Sequence, residues 1–76
     1  MTTWDTLPTL VRRSFEEYLR RFTAANPTAA PRRVCDPVRV DSAAAWSVSF
    51  EDSTTGANYV TLVGDDGSVA KPVSVA

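Results

Sequence analysis

A two-layer α+β domain, one amphipathic helix laid on an antiparallel sheet, is predicted by three observations. Trp4, Leu7, Val11, Phe15, Tyr18, Phe22 and Ala25 recur at intervals of three and four, the spacing of one buried helix face. Beyond Pro31 the apolar residues fall in short segments separated by Gly, Asp and Ser, the pattern of strands and hairpin loops. The loops between those segments are shorter than the dozen residues that a parallel crossover needs. With 76 residues the chain makes one domain, 1–76, around one small core.

The helix is expected over about 4–25, with Thr3 or Thr6 as its cap and Pro8 tolerated in the first turn. Its stability comes from the apolar face, since each large side chain buried contributes roughly 1.5–3 kcal/mol. Four pairs spaced four apart, Arg12–Glu16, Arg13–Glu17, Glu16–Arg20 and Glu17–Arg21, line its polar face. Each is worth about 0.2–0.5 kcal/mol on an exposed helix. Asn26-Pro27 stops the helix, because a residue before proline is pushed out of helical geometry.

Four strands come next, at about 32–40, 46–52, 58–63 and 69–75, in a meander of order 1-2-3-4. Pro37 and Pro72 fall in the first and last, and proline in a sheet is confined to edges or bulges, so the second and third are central. In the second strand Trp46, Val48 and Phe50 alternate with Ser47, Ser49 and Glu51, which places the apolar three under the helix. In the third the same rule puts Val60 and Leu62 inward, with Tyr59 and Thr61 outward. The open face of the sheet would then carry Ser47, Ser49, Glu51, Tyr59 and Thr61, joined by Cys35 and Arg39. Lys71, the only lysine, reads as a guard against strand pairing at an edge.

This element order resembles the cystatin-like α+β folds, in which a sheet curves round a helix. The initial strand of that arrangement and its inhibitory motifs are missing here, so no functional residue carries across. The Sm-like fold also starts with a helix, but the glycine, asparagine and basic signatures of its RNA-binding members are not found at matching positions.

Composition excludes much chemistry. There is no histidine, which removes the commonest metal ligand and the side chain best matched to proton transfer near neutral pH. Cys35 sits beside Asp36, without a base to activate it, and reads as a small packed residue. Asp65-Asp66-Gly67-Ser68 lacks the spaced oxygens and distal glutamate of a calcium loop and reads as a hairpin turn. Glu16 and Glu17 point about 100° apart on the helix and read as a solvated face. No catalytic residue, metal, cofactor or small-molecule ligand is predicted, and the chain is expected not to be an enzyme. The net charge of −1 gives no general attraction to nucleic acid or to an anionic membrane. No apolar run nears the roughly 20 residues of a membrane span, and the chain start lacks a secretory signal pattern, so a soluble, cytoplasmic protein is expected.

What remains is binding. Seven of the eight basic residues are arginine, and Arg, Tyr and Trp are enriched at binding hot spots. The expected contact residues are Arg12, Arg13, Arg20 and Arg21 on the helix, with Tyr59 and Trp4. The expected function is a small protein-interaction module, an inhibitor or adaptor of the kind that phages and mobile elements encode, blocking a host complex by steric occlusion. Its partner would be another protein. The alternatives are a homo-oligomeric subunit, in the simplest case a homodimer, and a nucleic-acid binder that uses the arginine stripe.

Overall fold

The computed structural model describes residues 3–75. Its elements are a 3₁₀ turn at Trp4–Thr6, helix α1 at Thr9–Ala25, strands β1 (Pro31–Arg33) and β2 (Val38–Val40), a 3₁₀ turn at Asp41–Ala43, and strands β3 (Ala45–Asp52), β4 (Ala57–Gly64) and β5 (Val73–Val75). The α+β class is as predicted, with one helix and an all-antiparallel sheet. No helix among the described residues is long and apolar enough to cross a membrane.

The predicted continuous helix over 4–25 is two pieces. Pro8 forces Leu7 into an extended conformation, ψ 145°, so the Trp4–Thr6 turn closes on itself before α1 begins. Thr6 Oγ1 accepts the Thr3 backbone N–H at 2.9 Å, and its hydroxyl donates to the Thr3 carbonyl at 3.0 Å. At the other end the Asn26 N–H and side-chain amide both donate to the Phe22 carbonyl, and Pro27 ends the helix. The apolar stripe stops at Phe22; Ala25 is exposed.

The sheet has five strands, not the predicted four-strand meander. Its order is β1-β3-β4-β5, with β2 beside β3 on the same edge as β1. The predicted first strand over 32–40 is interrupted at Val34–Pro37. Arg33 pairs with Phe50 and Val38 with Ser47, so four residues lie opposite Val48 and Ser49 alone. Proline has no N–H to give the ladder, so the chain bulges there and buries the Pro37 ring. The last predicted strand breaks in the same way. Val69 bridges Val63 and Val73 pairs with Val60, leaving Ala70-Lys71-Pro72 opposite only Thr61 and Leu62. One extra residue reverses the facing of every residue after it, so Val69 points to the core while Val73 and Val75 point away from it.

The core joins Leu7, Val11 and Phe15 to Val48, Phe50 and Val63, all buried. Trp4, Tyr18, Leu19, Phe22, Trp46, Tyr59 and Val69 pack round it. Trp46, Val48 and Phe50 face the helix as predicted. The third predicted strand does not face as read. In β4, Tyr59 lies opposite Phe50, Thr61 opposite Val48 and Val63 opposite Trp46, so these three share the helix-facing side. Val60 and Leu62 lie on the open side.

The β3–β4 hairpin sets that register. Its loop is Ser53–Gly56, with Asp52 paired to Ala57. The Gly56 N–H donates to the Asp52 carbonyl at 2.8 Å, and Gly56 sits at φ 75°, a left-handed position that costs glycine nothing. The Asp52 carboxylate accepts from the Thr54 N–H, the Thr54 hydroxyl and the Ala30 N–H. A fixed loop length fixes which residues pair, whatever the hydrophobicity of the next strand. Thr61 is accepted inside because its hydroxyl donates to the Ala70 carbonyl in the second bulge.

Candidate functional site

The six expected contact residues do not form one surface. Trp4 is half-buried and stacks on Phe15 at 5.3 Å between ring centres. Its indole N–H donates to the Cys35 carbonyl at 2.8 Å, and the Arg33 guanidinium lies 4.8 Å above the ring. Trp4 therefore fastens the bulge between β1 and β2 to the helix end. Tyr59 stacks on Phe50 at 5.1 Å and meets Phe22 edge-on at 5.9 Å, on the side opposite to the one expected. Both aromatics belong to the packing.

The arginines stay on the polar flank of α1, where two of the four expected pairs form, Arg12–Glu16 and Glu17–Arg21, and Arg20 turns to Glu17 instead of Glu16. Glu17 takes both Arg20 and Arg21, the latter at 3.4 Å, while Arg12 only approaches Glu16, at 4.0 Å. Arg13 reaches no carboxylate among the described residues. Helix electrostatics explain this, since a glutamate N-terminal to its basic partner complements the helix dipole better than the reverse order. Glu17 thus turns forward and leaves Arg13, four residues behind it, unpaired.

Arg39 is not on the open face either. It lies on the helix-facing side beside Trp46, its guanidinium 5.2 Å from that ring. It donates to both Asp65 carboxylate oxygens, at 2.6 and 2.9 Å, and to Asp41 at 2.9 Å. This fork ties the β2 edge to the β4–β5 connection across the sheet. Arg39 holds the Asp65 carboxyl below the usual carboxylate range, and hydrogen bonds from Ser68 do the same for Asp66. Cys35 is exposed.

With Tyr59, Thr61 and Arg39 removed from it, the open face has a different character from the polar one expected. Ser47, Ser49 and Glu51 do lie there, half-buried. Beside them stand Val38 and Val73, each 62 % exposed, with Leu62, Val75 and the half-buried Val60. In register these form rows across the sheet: Val38–Ser47–Leu62 and Ser49–Val60–Val73. A shallow hollow of about 280 Å³ lies between Ser47, Val60, Leu62 and Val73. An Arg32–Glu51 ion pair at 3.1 Å closes one end of the face, and Lys71 borders the hollow at the other.

Sequence reasoning missed this patch for two identifiable reasons. The Asp52…Gly56 loop signal, read for its length, pairs residue 52 with 57 and therefore Phe50 with Tyr59; hydrophobic alternation alone chose the wrong residues. The Pro72 bulge, which turns Val73 and Val75 outward, was marked by its proline, but the number of extra residues is set by the loop before it. No protein-family model, curated protein or solved structure matches this chain, so its function is read from its own residues.

Proposed function

We propose that this chain is a binding module without chemistry of its own, and that it contacts another protein through the open face of its sheet. One observation supports the reading above the rest: Val38, Val60, Leu62, Val73 and Val75 are gathered on the side no helix covers, with charged groups at the ends. An apolar centre within a charged rim is the anatomy of a protein interface, and a contiguous exposed apolar patch marks a contact site. The helix arginines are a weaker choice, because Glu17 already engages two of them.

Four strand lanes about 4.8 Å apart and up to eight residues long give a face of roughly 500 Å². A partner matching it would bury about 1,000 Å² in total, the lower end for a specific interface. The partner is therefore a protein with a flat apolar surface, and the action is occlusion of that surface.

The test compares the wild type with Leu62→Asp and Val73→Asp in a nuclease-treated capture from source-cell lysate, with molar mass by light scattering. Both side chains are exposed, so a carboxylate there is expected to leave the circular dichroism spectrum unchanged. A monomeric wild type that captures a stoichiometric protein, lost in both variants, is the expected result. Capture unchanged in the variants would remove the open face as the site. A wild-type dimer made monomeric by Leu62→Asp would replace this reading with self-assembly.

A further inference from the structure

On the opposite side of the molecule, a cleft of about 440 Å³ opens between α1 and the β4–β5 connection. Arg13, Ser14, Glu17, Tyr18 and Arg21 line it from one flank of the helix, and Gly67 and Val69 from the connection. The spacing explains the grouping, since positions i, i+4 and i+8 fall on one side of a helix. Tyr18 and Val69 pack against the core and give the cleft an apolar floor.

Gly67 makes the close approach possible. It sits at φ 88°, and a Cβ there would lie 2.9 Å from Ser14 Oγ and 3.3 Å from Leu10 Cδ1. The turn therefore presses its bare backbone against the helix and closes one end of the cleft.

The chemistry of the lining is lopsided toward donors. Arg13 has no carboxylate partner among the described residues, whereas Glu17, the single acid in the cleft, is offset by both Arg20 and Arg21. The Ser14 hydroxyl and the Tyr18 phenol add two O–H groups. The phenol is a neutral donor at neutral pH, and burial, assisted by nearby Tyr59, moves its pKa further up. A carboxylate has two oxygens to satisfy; a guanidinium fork, two hydroxyls and the remaining N–H groups of Arg21 suit three. A cleft of this volume is within the range of small-ligand sites.

We propose that this cleft binds a small phosphate monoester of an aromatic alcohol, its phosphate held by Arg13, Ser14 and Tyr18 and its ring laid on the floor made by Tyr18 and Val69. The site departs from the expectation that the chain takes no small ligand, and it does not depend on the open-face reading.

The probe is phenyl phosphate, titrated into ¹⁵N-labelled protein, with inorganic phosphate and phenol as separate arms. Saturable shifts at the amides of residues 13, 14, 18, 67 and 69 are expected, with affinity lowered about tenfold or more in Arg13→Ala, the size of a lost charge-assisted hydrogen bond. Arg12→Ala, outside the cleft lining, is expected to bind as the wild type does. Inorganic phosphate binding as tightly as the ester would overturn the aryl part, and phenol binding as tightly would overturn the phosphate part. The site itself falls if shifts do not saturate, gather on the open face, or survive Arg13→Ala unchanged.

Discussion

The two faces of the sheet use the same four lanes and similar residue types, yet one is sealed and the other open. On the helix side Phe50 lies between Phe15, Tyr18, Phe22 and Tyr59, with ring centres 5.1–6.0 Å apart. On the far side Val38, Leu62, Val73 and Val75 are exposed and Val60 is half-buried. The difference teaches that hydrophobicity in a strand does not choose its own face. In β4 the alternation offers Tyr59, Thr61 and Val63 on one side and Val60 and Leu62 on the other, two sets of comparable apolar content. The hairpin loop decides between them, and the fold then has apolar residues left over on its exposed side.

The largest effect that could break this comparison is at its centre. Phe50→Ala is expected to cost about 3–5 kcal/mol, enough to unfold most domains of this size, whereas Leu62→Ala, two residues before the end of β4, costs under about 1 kcal/mol. Urea denaturation measures both. Equal losses would mean that the open face is covered in solution.

Next in size is the pair that reports the register directly. Tyr59→Ala removes a ring stacked on Phe50 and is expected to lose about 2–4 kcal/mol; Val60→Ala, one residue on, loses under about 1. The reversed order would restore the facing that alternation predicts. This is also where the sequence was legible and where it was not. The helix face, the inward triplet of β3 and the hairpin were readable, because each rests on a local pattern of spacing or turn residues. The β4 facing was not, because the loop length that sets it was passed over for hydrophobic alternation; the registers of the two proline bulges and the Arg39–Asp65 fork were not, because each depends on residues brought together from distant parts of the chain. Of the expected site, the arginines remain on the surface, while Tyr59 and Trp4 were claimed by packing.

The two left-handed glycines sharpen the comparison at the edges of the layers. Gly56→Ala meets nothing within 4 Å, so it is expected to cost only the backbone strain, about 1–2 kcal/mol. Gly67→Ala adds a collision with Ser14 and Leu10 to the same strain, and its melting temperature should fall further. A smaller fall at Gly67 would show that the turn does not press on the helix in solution.

Acid should act on the hairpin that sets the register. Hydrogen bonds from Thr54, then from the Ala30 N–H, lower the Asp52 pKa from its ordinary 3.8. A folded pKa below the unfolded one means that the stabilisation is present in full above that ordinary value. It is lost as pH falls from about 4 through the lower folded pKa. Asp65 and Asp66 are shifted in the same direction and add to the slope. Thermal melts between pH 5 and 2 should therefore fall more steeply for the wild type than for Asp52→Asn. Parallel slopes would remove Asp52 as a source of the acid sensitivity.

The smallest effect on stability is expected where the largest effect on binding is proposed. Val38→Ser and Val73→Ser replace side chains that are already mostly in water, so each should change stability by less than about 0.5 kcal/mol. Removing two of the five aliphatic side chains would still weaken a contact made through the open face, since the apolar centre of an interface carries much of its affinity. Measured together by denaturation and by capture, the double variant separates two reasons for a valine at these positions. A loss of stability of about 2 kcal/mol or more would show that the face is internal support, covered by some part of the chain itself. An unchanged melt with capture lost would mean that these side chains contribute nothing to holding the fold together and act through what they touch.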